Sequence, residues 1–178
     1  MENYFIIQAY VSNDRTDYNT LIPVLEKHKN AFGDLLKEVS ADSGYCSEKN
    51  LLYLKQNKIA SYIKQQDHEK RKTKAYKEDI GKYYNMKTQM FEDELYYVCH
   101  DGRELHHIRT ETKEQPGYTQ TFEVYGCADC SGCIHKAKCL YKYDAEKDAE
   151  KNKIMKINEQ WEILKEESQA NIKARRES

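Results

Sequence analysis

Glu38-Val39-Ser40-Ala41-Asp42-Ser43-Gly44-Tyr45-Cys46-Ser47-Glu48-Lys49-Asn50 is the stretch that decides the fold. Val-Ser-Ala reads as a short strand, and Asp-Ser-Gly must turn. Ser47 is suited to cap a helix carrying Leu51, Leu52 and Leu54. Asp42 therefore stands where a strand stops and a turn begins. In α/β folds that place holds ligands and metals, because the strand fixes the side chain and the loop leaves it open to solvent. The bland alternative is that Asp42 only bonds its own turn backbone.

On the N-terminal side, Tyr4 to Val11 is apolar on both faces and predicts an interior strand. Asp14 to Asp17 is a polar loop. Tyr18 to Asn30 predicts a helix with Leu21, Ile22, Leu25 and His28 on one side, ended by Phe32-Gly33-Asp34. On the other side, Ile59 to Ile63 predicts a further strand. Strand, helix, strand, helix, strand argues a right-handed α/β unit with parallel pairing.

After Lys64 the character changes. Gln65 to Lys82 reads as a charged linker or loose helix. Met90 to Val98, Glu104 to Thr110 and Tyr118 to Tyr125 read as short antiparallel strands, with turns at Asp101-Gly102 and Gln115-Pro116-Gly117. From Ile154 a helix is expected, with Ile154, Ile157, Trp161, Leu164, Ser168 and Ile172 on one stripe that packs on the first unit or on a second subunit. The expected organisation is a partial α/β unit over 1–64, a basic linker over 65–89, a β-hairpin and cysteine-knuckle insertion over 90–143, and a charged amphipathic helix over 144–178.

Charged residues make up 33% of the chain and hydrophobic ones 39%, so a large buried core is not expected. The formal net charge of -1 does not announce a nucleic-acid binder. Its distribution says more: Lys64 to Lys87 holds eight Lys/Arg against four Asp/Glu, and Thr88 to His135 holds three against nine. Lys70, Arg71, Lys72 and Lys74, with tyrosines interleaved, could track a DNA backbone; the alternative is a solvated charged segment. No secretory leader or membrane span is visible, so the expected place is the cytoplasm. There, six cysteines read as metal ligands or free thiols before disulfides.

Cys127, Cys130, Cys133 and Cys139 follow CxxCxxCxxxxxC, with Cys99 upstream in Tyr97-Val98-Cys99-His100-Asp101-Gly102. Structural zinc takes about four soft ligands, so five thiols compete for four places. A cluster of reduced thiols without metal is the alternative, and an iron–sulphur cluster has less support because nothing else suggests redox chemistry. Cys46 stands apart as a partly buried free thiol.

Thr16-Asp17, Leu21-Ile22-Pro23, Leu25-Glu26 and Ala41-Asp42-Ser43-Gly44-Tyr45, followed by the cysteine-rich stretch and its helix, resemble the DDE transposases of bacterial insertion sequences. The chain departs from that pattern at Ser43, where Ala is common, and at Cys46, where Gly is common. The resemblance implies a ribonuclease-H-like domain on which Asp42 is the second of three carboxylates that bind Mg²⁺ or Mn²⁺. DNA at the transposon ends is the implied partner, with a homo-oligomer possible. The family's first Asp lies on a strand ahead of the position of Tyr4, and its Glu on a helix beyond that of Ser178. An internal fragment with one acid of three, inactive alone, is therefore expected. The resemblance also favours Cys99, Cys130, Cys133 and Cys139 as zinc ligands, because such relatives often lack an equivalent of Cys127. Two other readings stay open: a non-catalytic zinc-containing DNA-binding or interaction module, and an independent nuclease using Asp14 or Asp17 beside Asp42.

Overall fold

Gly33 stops the first helix as its sequence requires. In a computed structural model describing residues 6–177, α1 spans Leu21–Phe32 and ends where Gly33 takes a φ of 86°. The left-handed conformation costs glycine no Cβ clash. β1 (Glu38–Ala41) follows, then α2 (Glu48–Gln56) and β2 (Ala60–Ile63). The Ser47 hydroxyl caps α2 by accepting from the Asn50 N–H at 3.3 Å. β1 and β2 pair in parallel, from Glu38 opposite Ala60 to Ala41 opposite Ile63.

Mixed α/β structure continues in α3 (Lys74–Lys77), β3 (Lys87–Phe91), β4 (Glu94–Val98), β5 (Glu104–Gln115) and β6 (Tyr118–Cys127). α4 (Lys136–Cys139), β7 (Ile154–Ile157) and α5 (Glu159–Glu177) complete the chain. Two compact units result. One takes the chain up to His68 and again from Gln160 on; the other is Glu69–Glu159.

In the first unit Leu21, Leu25, Leu51, Leu54 and Ile63 form a small core, and Leu164 of α5 completes it with Trp161 packed alongside. α5 also covers the open edge of β2. The Ser168 hydroxyl, fully buried, accepts from the Ile63 N–H and donates to the Ile63 carbonyl, both at 3.0 Å. Gln169 and Asn171 amides donate to the Ile63 and Ser61 carbonyls, each at 3.1 Å. Side chains of a helix thus replace the missing neighbour strand, which satisfies an edge that would otherwise invite pairing with other chains.

The second unit is built on a five-stranded antiparallel sheet in the order β3-β4-β5-β6-β7. Tyr97, Leu105, Tyr125, Met155 and Ile157 are buried on it.

Three expectations are corrected. Ile6 to Val11 form no strand, and Ile6 and Val11 are 94% and 91% exposed; Tyr4 and Phe5 lie outside the described residues. An apolar segment becomes a strand only with ladder partners, and none is found for it among the described residues. Met90 to Val98 is not one strand but part of the β3–β4 hairpin, turned by Glu92 and Asp93 at φ of 47° and 66°. No glycine marks that turn, which hid it. Ile154 and Ile157 belong to β7, not to the helix. Met155 and Ile157 are buried and Ile154 is 52% exposed, the two-residue alternation of a strand beside β6.

Candidate functional site

Asp42 ends β1, and its side chain turns back to accept from the Gly44 N–H at 2.7 Å. The bland role of bonding its own turn is therefore filled, with one carboxylate oxygen and an exposed face to spare. The backbone at Gly44 runs close to both acids: a Cβ there would lie 2.9 Å from Asp42 Oδ1 and 3.7 Å from Asp17 Oδ2. The same measurement brings Asp17 and Asp42 to one turn. Asp14, by contrast, accepts from the Ser12 hydroxyl at 2.8 Å in its own loop. A hard, exposed carboxylate oxygen suits Mg²⁺ or Mn²⁺ as one ligand among several. Among the described residues no group of three or more His, Cys, Asp or Glu side chains is arranged to hold a metal ion.

Beside Asp42 opens a cavity of about 550 Å³, at the carboxyl ends of both parallel strands. Its lining includes Ser43, Tyr62, Lys64, Arg175 and Arg176. The sequence reading missed Lys64, Arg175 and Arg176 as neighbours of Asp42. Nothing in their spacing could reveal them, since Arg175 and Arg176 lie more than a hundred residues after Lys64.

In the second unit, Cys99, Cys127, Cys130, Cys133 and Cys139 all line one small cavity of about 20 Å³, room for roughly one water-sized sphere. None of the six cysteines is in a disulfide. The loop that carries them is pinned from outside. Arg103 donates to the Asp129 and Ser131 carbonyls at 2.8 and 2.9 Å, and the Asn152 amide accepts from the Cys130 N–H at 2.8 Å. Gly132 takes a φ of 63° between the ligand candidates. The Lys153 N–H donates to Cys130 Sγ at 3.3 Å, and the Cys127 thiol donates to the Asp129 carbonyl at 3.2 Å. Burial, with a hydrogen bond to Cys130, pushes the Cys127 thiol up to about 11. Burial also raises the Cys139 thiol, against the pull of Lys153, and lowers the Lys153 ammonium.

Three cations share that cavity wall: Arg103, Lys136 and Lys153. The Lys153 ammonium donates to the Gly81 and Cys139 carbonyls at 2.6 and 3.0 Å, and the buried Lys136 donates to the Ala149 carbonyl. Gly81 must come close for this. A Cβ there would stand 2.7 Å from the Cys139 carbonyl oxygen, a backbone atom that cannot swing away. Gly81→Ala is expected to lower stability by about 1–3 kcal/mol. Urea unfolding followed by far-UV circular dichroism measures it, and an unchanged midpoint would show that the contact yields freely.

Lys70, Arg71 and Lys72 occupy one 3-10 turn and Lys74 opens α3. Lys72 pairs with Glu69 at 2.9 Å, and Arg71 lies 5.7 Å from the Tyr76 ring centroid. Tyr76 stacks on Tyr84 at 4.6 Å and 5°, so the interleaved rings already pack on one another.

Residues 98–177 match the family model described as transposase DDE domain. Over this stretch the chain is similar to that transposase family. No curated protein and no solved structure matches the chain. The transposase match contains the thiol cavity and α5, whereas Asp42 lies outside it. Among the described residues, no helix is long and apolar enough to cross a membrane.

Proposed function

We propose that the chain works in DNA transposition, as part of a DDE transposase whose reaction is metal-dependent phosphoryl transfer on DNA. The family match over residues 98–177 carries this reading. The strand–helix–strand segment around Asp42 is read as part of a ribonuclease-H-like catalytic domain. Asp42 is its metal-binding carboxylate in this chain, with Asp17 as neighbour. Mg²⁺ or Mn²⁺ bound there supplies Lewis-acid chemistry to a DNA phosphate. The protein's own part is to hold Asp42 at the end of β1, exposed, with one oxygen accepting from the Gly44 N–H. Lys70, Arg71, Lys72 and Lys74 would hold the DNA backbone as charges, since their neighbouring rings are engaged within the protein. The workplace is DNA in the cytoplasm, and self-association at paired DNA ends fits the reaction.

The thiol cavity is read as a structural zinc site formed by Cys99, Cys130, Cys133 and Cys139. Support comes from five thiols lining one small cavity; as they stand no three of them are set as metal ligands, so binding would draw the thiols inward around the ion. Zinc bound by four thiolates carries excess negative charge, and the adjoining Arg103, Lys136 and Lys153 supply its counter-charge. Cys127, hydrogen-bonded to a carbonyl and the most raised thiol, serves as the protonated fifth.

Manganese titration tests the catalytic reading. Mn²⁺ is expected to broaden the backbone NMR signals of Ser43 and Gly44, and Asp42→Asn is expected to abolish the effect. Equal broadening in the variant would remove Asp42 from the metal site and favour the second reading, a non-catalytic zinc-containing module. The isolated chain is further expected not to cut or join DNA in Mg²⁺ or Mn²⁺, because two ions roughly 3.5–4 Å apart need more carboxylates than Asp42 and Asp17. Cleavage that disappears in Asp42→Ala would instead make the chain a self-sufficient nuclease.

A further inference from the structure

The cavity beside Asp42 sets three cations around one carboxylate. A phosphodiester brought against a carboxylate is repelled by it, so a site that accepts one needs cations on its other walls. Lys64, Arg175 and Arg176 provide them, and they come from two elements far apart in sequence. Arg175 is held in place: its guanidinium lies 4.9 Å from the Tyr62 ring centroid and 3.2 Å from Glu38. Lys64 and Arg176 are exposed and have no ion-pair partner among the described residues. Basic residues in the last turn of α5 are favourable to its dipole whatever else they do. That explanation does not reach Lys64, which follows the end of β2 and faces the same space.

We propose that this cavity seats a DNA backbone phosphate beside Asp42, with Lys64 and Arg176 as its direct contacts and Arg175 as a fixed wall. The inference rests on reading Asp42 as the metal-binding carboxylate of a transposase, and names the residues that position the substrate there. The Ser43 hydroxyl lines the same space and is available to donate to a phosphate oxygen. Glu38, through its pairing with Arg175, keeps that guanidinium from swinging away into solvent.

Fluorescence anisotropy of the full chain with a labelled duplex of about 25 base pairs, in EDTA and low salt, tests the proposal. The Lys64→Ala, Arg176→Ala double variant is expected to weaken binding about tenfold or more and to flatten the salt dependence by nearly two ion equivalents. Asp42→Asn is expected to act oppositely, tightening binding without metal by removing the repelling charge. Both substituted cations are exposed, so an unchanged circular dichroism spectrum accompanies the loss. Inorganic phosphate, as competitor, is expected to displace DNA only at concentrations where sulphate does so equally. Selective displacement by phosphate would make this a small-anion site and overturn the DNA assignment. Unchanged affinity in the double variant, or in Asp42→Asn, would overturn the proposal while DNA binding through Lys70 to Lys74 survives. Absence of any DNA binding would overturn it too, whereas the Mn²⁺ response at Asp42 would stand or fall by itself.

Discussion

Protein purified without chelator is expected to carry about one zinc per chain, and stripping it should unfold the cysteine loop. In the loop between Cys127 and Lys136, Cys130 is buried against the sheet's core, whereas Ile134 is 86% exposed. What holds it is a set of polar ties from Arg103, Asn152 and Lys153 around a cavity lined by thiols. Metal binding can supply on the order of 10 kcal/mol to such a segment. Cys133→Ser should therefore release the metal, and Cys127→Ser should cost little; the reverse result would move the ligand assignment to Cys127. The sign of the pH dependence follows from the thiols. Burial raises Cys127 and Cys139, so Cys139 is protonated at neutral pH and must lose its proton to bind. Zinc uptake should then release protons, and affinity should climb with rising pH and fall in acid. Metal analysis and a proton-release titration read both effects. A metal-free sample that is fully folded, with all five thiols reactive, would end the zinc assignment.

Leu164→Ala should destabilise the first unit by about 2–5 kcal/mol, although it lies a hundred residues from most of that core. Leu164 is 3% exposed and packs in one cluster with Leu51, Leu54 and Ile63. Against a typical total of about 5–15 kcal/mol, this is a large fraction. Ser168→Ala should cost about 1–3 kcal/mol more, because the Ile63 N–H loses its partner at a buried position. The two sites share one helix face, so their costs need not add. The single tryptophan, Trp161, reports on this unit, and urea unfolding followed by its fluorescence measures both. Unchanged midpoints would mean that the unit is stable without α5.

Much of the α/β segment was legible because its signals are local. Gly33 ends a helix through its own φ, Ser47 caps one through its own hydroxyl, and both acted as expected. The parallel pairing of β1 with β2 follows from a helix between two short apolar runs. Asp42 at the end of β1 was legible for the same reason. Period-based reading failed where it is ambiguous. Ile154 and Ile157 fit a helical stripe as well as a strand, and only the neighbouring β6 decided for the strand. Tyr4 to Val11 looked like an interior strand because apolar residues on both faces ask for neighbours, a demand that composition cannot meet.

Sequence alone determined the strand end that carries Asp42, the cysteine spacing and the likeness to transposases, since each depends on residues within one short stretch. Tertiary structure decided which distant side chains stand beside them. It brought Cys99 from the β4–β5 turn to the same cavity as Cys139 and set Lys136 and Lys153 around it. It also laid α5 along β2, so that Ser168 closes a sheet edge and Arg175 and Arg176 reach the cavity at Asp42. The physical reason is that charge and hydrogen-bond complementarity act through space, whereas propensities and caps act within a few residues along the chain.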